Sequence, residues 1–168
     1  MGSKMDTHVQ DVLATIGRRP GSVSDLSSPS PADALDGAST VEVRTSASAA
    51  LIPTIRAVAS DLAARADFDL DAISDLRMAV DEACATLVDV AAPTSWLHCT
   101  FLVRPERIEV HAEVQTKHAE AVVSTDTFGW RVLQTLADEV SVHHEPGRAD
   151  SGPTVGIRLD KRSGDVLR

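Results

Sequence analysis

An α/β fold is predicted, a two-layer sandwich in which a mixed, largely antiparallel sheet is covered by helices on one face. Three observations predict it. Strand-like alternation brackets long stretches of helical periodicity, and two of the strands follow one another as a hairpin, unlike repeated strand–helix–strand units. The length, 168 residues, suits one ordinary domain, and a hydrophobic fraction of 43% is ordinary for a globular chain. No apolar run approaches the ~18–20 residues that a membrane span requires. Residues 1–9 are polar and lack a secretory pattern, so a soluble, cytoplasmic protein without a membrane role is expected.

Val9, Val12, Leu13 and Ile16 sit at i, i+3, i+4 and i+7, with Asp6 or Thr7 as a cap and Gly17 as a stop, which predicts a short helix over 6–17. Residues 1–4 read equally as an expression remnant, with Met5 as an alternative start. Pro20, Pro29 and Pro31 then fall among serines, aspartates and glycines, the composition of a linker. The expected organisation is a flexible segment over 1–38, a folded domain over 39–160 and a tail over 161–168. Within the domain, Val41, Val43 and Thr45 alternate with Glu42 and Arg44 as in a half-buried strand. An alanine- and leucine-rich helix over 49–66 follows, with Pro53 in the first turn, where a missing N–H costs nothing. A second helix spans 70–91. Strands over 96–103 and 107–114 are joined by Arg104-Pro105-Glu106, a tight turn that makes them an antiparallel hairpin. After an irregular stretch come a helix over 128–138 and strands over 140–144 and 154–159.

The formal net charge of -9 argues against direct nucleic-acid binding, which needs a basic face to neutralise phosphates, and favours a basic partner. Cys84 and Cys99 fit neither a disulfide scaffold nor a metal clip and read as buried apolar thiols. His143 and His144 lie on a strand without a phosphoacceptor segment and read as structural. On the second helix, Ile73, Leu76, Val80, Ala83, Cys84, Leu87 and Ala91 form an apolar stripe that should face the sheet. Opposite it, Asp75, Met78, Glu82, Thr86 and Asp89 fall close to one line, either a solvated acidic face or the wall of a pocket.

The segment DLRMAVDEACATLV, 75–88, resembles the N-box helix of the GHKL ATPase superfamily in its RsbW-type anti-sigma-factor and serine-kinase branch. TFGWRVLQTLADEVSV, 127–142, is similar to the part of that branch where a GxG phosphate turn opens a helix. The order and spacing agree over 39–160, and DFDLDAISDLRMAVDEAC resembles the actinobacterial anti-sigma-F proteins in particular. The resemblance implies a Bergerat-type fold, a sigma subunit of the sigma-F or sigma-B type as partner, and a STAS-domain anti-anti-sigma factor as antagonist. It also implies a homodimer and a site for ATP and Mg²⁺, with a protein-serine kinase as the alternative activity.

Residue by residue, the resemblance places Glu82 as the catalytic base of an active kinase. Thr86 stands where an asparagine normally helps to hold Mg²⁺, and its shorter hydroxyl reaches less far as a metal ligand. Thr127 replaces the first glycine of the phosphate turn and Gly129 keeps the second. The adenine-recognising DxGxG segment has no counterpart, because only QTKHAEAVVSTD separates Gln115 from Thr127, too short for the usual nucleotide lid. A degenerate nucleotide site, with ATP and Mg²⁺ weak or absent, is therefore expected. The sigma-facing surface is expected on the helix over 49–66, at Thr54, Arg56 and Asp61.

Overall fold

The computed structural model describes residues 37–147 and 152–164. The expected helix over 6–17, the linker and the last four residues of the tail lie outside them. In chain order the elements are β1 (Ser39–Ser46), α1 (Ile52–Arg65), α2 (Leu70–Val90), β2 (Trp96–Arg104), β3 (Arg107–Gln115), α3 (Phe128–Leu136), β4 (Glu139–Glu145) and β5 (Thr154–Arg162). The strands form one five-stranded sheet in the order β1-β2-β3-β5-β4. Every pairing among the described strands is antiparallel, so the mixed sheet expected from the sequence is a wholly antiparallel one. Arg104 pairs with Arg107, which leaves Pro105-Glu106 as the turn, with Glu106 at φ 59. A proline followed by a residue at positive φ is the signature of a type II turn.

Alternation along the strands sends Leu97, Cys99 and Phe101 of β2, Ile108, Val110 and Val114 of β3, and Val155, Ile157 and Leu159 of β5 to one face, all buried. The helices cover that face. From α2 come Leu76, Val80, Ala83, Cys84 and Leu87, from α1 Ile55, Ala59 and Ala63, and from α3 Trp130 and Leu133. Complete burial of a residue such as Leu76, at 0% exposure, stabilises the fold by about 1.5–3 kcal/mol. Cys84 and Cys99 meet at this interface with sulfurs 3.9 Å apart. Their contact and their burial hold the Cys84 thiol well above its ordinary pKa, so it stays protonated and acts as a small apolar group.

Several boundaries differ from the sequence reading. Residues 49–51 form a 3-10 turn capped by Ser48, and the α-helix proper begins at Ile52 with Pro53 in its first turn. Helix α3 stops at Leu136, short of Asp138, because the Asp138 N–H donates to the Asp160 carbonyl and its carboxylate accepts from the Arg162 N–H. Those bonds commit the chain to β4. The strand β5 continues past Leu159 to Arg162. On α2 the buried stripe includes Ala72 and Ala79, whereas Ile73 and Ala91 are only half-buried. Asp69 caps that helix by accepting from the Ala72 N–H at 2.8 Å, and this bond holds its carboxyl below the usual range.

Among the described residues no helix covers the second face of the sheet, and that face carries charge. Arg107 donates to Asp160 at 2.5 Å, and Glu109 receives His111, Arg158 at 2.9 Å and Arg107 at 3.7 Å. Asp160 and Glu109 are buried on this open face because the guanidinium stems lie over them. Farther along, His98 lies between Glu113, 3.3 Å away, and Glu42, 3.8 Å away, linking β1, β2 and β3. Arg44 stacks 4.5 Å from the centroid of Trp96 at the sheet edge.

Candidate functional site

The helical layer contains a groove of about 570 Å³, lined by Arg77, Met78, Asp81 and Glu82 of α2, Val132 and Leu136 of α3, and Arg56 of α1. Met78 and Glu82 stand one turn apart on α2, as their spacing predicts. Val132 and Leu136 are likewise an i, i+4 pair and give α3 an apolar wall. Phe128, four residues before Val132 on the same helix, is 81% exposed at its start. Arg56 reaches across from α1 to Asp81, with Nη1 3.0 Å from the carboxylate, so the first two helices are tied together beside Glu82.

The candidate acidic line on α2 divides in the structure. Asp75 does not join the groove. Its carboxylate accepts from Lys161 at 2.8 Å, while the same ammonium donates to the Leu136 carbonyl at 2.9 Å. Lys161 thus places a cation at the end of α3, where the helix dipole favours one, and pins both helices to β5. Asp89 is exposed and Thr86 half-buried, and neither lines the groove. Asp81, one position beside the predicted line, takes the place of Asp75.

Glu82 and Gly129, 47 residues apart in sequence, come together. A Cβ added at Gly129 would collide with the Glu82 carboxylate, whose Cδ would stand 3.1 Å from it. The missing Cβ lets the Glu82 carboxylate lie close to the backbone here; a larger residue would push that flexible side chain aside. Thr127 caps α3, its hydroxyl accepting from the Trp130 N–H at 3.1 Å. One of the free N–H groups with which a helix start can hold an anion is thereby satisfied by the protein itself. Residues 116–127 lead directly into this cap, with Val123 buried and Val122 exposed.

Similarity to known proteins agrees with this geometry. Residues 45–157 match the family model of the histidine kinase-like ATPase domain. The chain is 34% identical over 128 residues to the anti-sigma-F factor RsbW of Mycobacterium tuberculosis, in the CDC 1551 / Oshkosh strain and equally in H37Rv, an alignment covering 75% of each chain. The chain belongs to the RsbW-type anti-sigma factor family, within the histidine kinase-like ATPases.

Glu82 and Gly129, assigned from the resemblance, are neighbours, and Thr127 occupies the start of the helix that the phosphate turn would open. Thr86 follows Glu82 by one turn of α2 but does not line the groove. Among the described residues no group of three or more His, Cys, Asp or Glu side chains converges as metal ligands.

The residues assigned to the sigma-facing helix do not form one patch. Thr54 and Asp61 lie on the exposed side of α1, seven positions and nearly two turns apart, and Asp61 is engaged by Arg65 at 2.7 Å. Arg56 points the other way, into the groove. Sequence reasoning missed Arg77, Asp81, Val132 and Leu136 as groove residues. The signal for two of them was present in the i, i+4 spacing of Val132 and Leu136. Asp81 needed the α1–α2 packing, which brings Arg56 to it from 25 positions away.

Proposed function

We propose that this protein is an anti-sigma factor that sequesters an alternative sigma subunit of the sigma-F or sigma-B type by direct binding. Release would come from an anti-anti-sigma antagonist of the STAS type, and the working unit would be a homodimer. The similarity to an anti-sigma-F factor over three quarters of both chains carries the reading. The surplus of acidic residues, net -9, fits capture of a partner whose basic surfaces otherwise meet DNA.

Binding is favoured over kinase chemistry because the residues present do not fit a magnesium nucleotide. The Glu82 carboxylate lies against Gly129, on the backbone that phosphates would approach. Thr127 already satisfies a helix N–H that an anion would use. Thr86 offers only a short hydroxyl where an amide carbonyl would help to hold Mg²⁺, and it does not line the groove beside Glu82. Phosphoryl transfer depends on positioning and charge compensation, and these are the components lacking here.

The test is co-purification of the tagged full chain with sigma subunits, followed by calorimetric titration of the purified chain with ATP and Mg²⁺. Tight sigma capture with millimolar or undetectable ATP binding is the expected result. Low-micromolar ATP binding that Glu82→Ala or Gly129→Ala abolishes would establish the alternative, an ATP-dependent serine kinase acting on the antagonist. Failure to bind any sigma subunit would overturn the proposal.

A further inference from the structure

The core face of β5 reads Val155, Ile157, Leu159 and then Lys161, so the alternation that buries three apolar residues carries a lysine into the helical layer at its next step. Its cross-strand partner on β3 is Ile108, which is fully buried on that same face. The lysine side chain is 13% exposed. Burying an ammonium is costly unless its hydrogens are bonded. Two of them are, to the Asp75 carboxylate of α2 at 2.8 Å and to the Leu136 carbonyl of α3 at 2.9 Å. An apolar residue would continue the core pattern here, but it would not join the two helices.

The second of those helices has few other attachments. Helix α3 has nine residues, fewer than the ~12–15 at which an isolated helix is even marginal in water. Of the nine, Trp130 and Leu133 are buried, Val132 and Leu136 are half-buried along the groove, and Phe128 is 81% exposed. Its end has no glycine cap, because Ala137 is already extended, at φ -103 and ψ 149, as the chain enters β4. The Leu133 carbonyl accepts from the Ala137 N–H, and the Leu136 carbonyl relies on Lys161. Helix α2 differs in both respects, with 21 residues and buried side chains along its whole length from Ala72 to Leu87.

We propose that Lys161 is a latch for a movable wall of the Glu82 groove. With both bonds made, α3 is held beside α2, and Val132 and Leu136 stay at a fixed distance from Met78 and Glu82 across the groove. When the bonds break, α3 moves away from α2 as a unit while α2 and the sheet remain folded, since proteins open first where attachment is weakest. The latch thereby sets how wide a segment the groove admits. It is built from β5, α2 and α3 alone and depends on neither the sigma-binding proposal nor the kinase alternative.

Amide hydrogen exchange of the full chain, read by mass spectrometry, tests the latch. In the wild type, amides 131–136 should exchange at least about 10-fold faster than amides 79–88 of α2. Lys161→Met removes both bonds and keeps the stem. It should accelerate exchange over 131–136 by about 10-fold or more while changing 79–88 and the β2–β3 hairpin by less than about 3-fold. Asp75→Asn, at a half-buried position where the new amide oxygen can still accept, should give a smaller change in the same direction, and it decides the matter if Lys161→Met does not fold. Trp130 supplies a second readout, because with Trp96→Phe in the background it is the one indole left of two. Acrylamide should quench it more strongly once Lys161→Met is added. Equal exchange of α3 and α2 in the wild type, indifference of α3 to the substitutions, or acceleration shared by α2 and the hairpin would each overturn the proposal.

Discussion

Replacing Arg107 with alanine should cost far more stability than its half-exposed position suggests. The reason lies in its partner, Asp160, whose side chain is 3% exposed and whose Oδ1 has no hydrogen-bond partner. Two unit charges about 4 Å apart attract by about 4 kcal/mol at an effective dielectric of 20. Arg107 is itself 37% exposed, so water screens part of that attraction. Removing one member of a buried pair typically costs about 3–5 kcal/mol, because the remaining charge is stranded without compensation. Here Arg162, 3.9 Å away, can close in on the stranded carboxylate and lower the penalty. We therefore expect about 2–4 kcal/mol for Arg107→Ala in urea denaturation at neutral pH. The reference substitution is Arg65→Ala, which breaks a pair exposed on both sides and should cost less than about 1 kcal/mol. Addition of Asp160→Asn to Arg107→Ala should recover much of the loss by removing the stranded charge. Equal small losses for the two arginines, or no recovery in the double variant, would refute the view that the open face is held together by buried ion pairs.

Leu76→Ala should destabilise the protein by about 2–5 kcal/mol through the cavity it leaves between α2 and the sheet, whereas Asp89→Ala on the exposed side should cost less than about 1 kcal/mol; similar values for the two would mean that α2 faces the wrong way. Stability should also pass through a maximum near pH 6.5, the ordinary imidazole value. The hydrogen bond that His98 donates to Glu113 raises its folded-state pKa, with burial and Arg44 opposing and Glu42 adding to it, so its contribution is fully present below about 6.5 and is lost as the pH rises through the raised value. Burial lowers the pKa of His143, with Glu113 and Glu145 opposing the shift and His111 and His144 adding to it, so stability is lost as the pH falls from about 6.5 through the lowered value. Thermal unfolding across pH should show His98→Gln flattening the alkaline limb and His143→Gln the acid limb above the carboxylate range. Indifference of both limbs to the two substitutions would refute it.

Most of the fold was legible because it rests on periodicity. The i, i+3, i+4 spacing around Leu76 and Val80 and the alternation through Leu97, Cys99 and Phe101 are burial patterns written directly into the chain. Alanine blurred the detail. Ala72 and Ala79 are buried while Ala91 is not, and a methyl group carries too little apolar surface to announce its side. What could not be read was pairing across long separations. Arg107 and Asp160 are 53 positions apart and Lys161 and Asp75 are 86, and only the β3–β5 register and the seating of α2 on the sheet bring them together. Asp75 shows the consequence, since helical spacing alone places it with Glu82 while a lysine from the final strand claims it. Glu82 and Gly129 were legible for a different reason, having been assigned through resemblance to a family in which the two elements meet.

The structure also gives a physical reason why a nucleotide fold can serve the proposed role of a protein-binding scaffold. A phosphate cradle works by leaving backbone N–H groups unsatisfied until the ligand arrives. Here the Thr127 hydroxyl fills one of those positions, and the Glu82 carboxylate lies over Gly129, so the start of α3 is stabilised without an anion. The Trp130 N–H thereby has its partner within the protein. Phe128 projects from the first turn of α3, 81% exposed, beside a groove whose α3 wall is apolar and whose charges are partly neutralised by the Arg56–Asp81 pair. Such a surface, with an apolar wall of Val132, Leu136 and Met78 facing charged residues of both signs, suits the proposed protein partner. The Arg56–Asp81 bridge further ties this groove to α1, the helix assigned to the sigma contact, at a single side chain 41% exposed. A partner in the groove that engaged Asp81 would therefore compete for Arg56 and perturb α1, which would let occupation of one surface influence the other without a nucleotide between them.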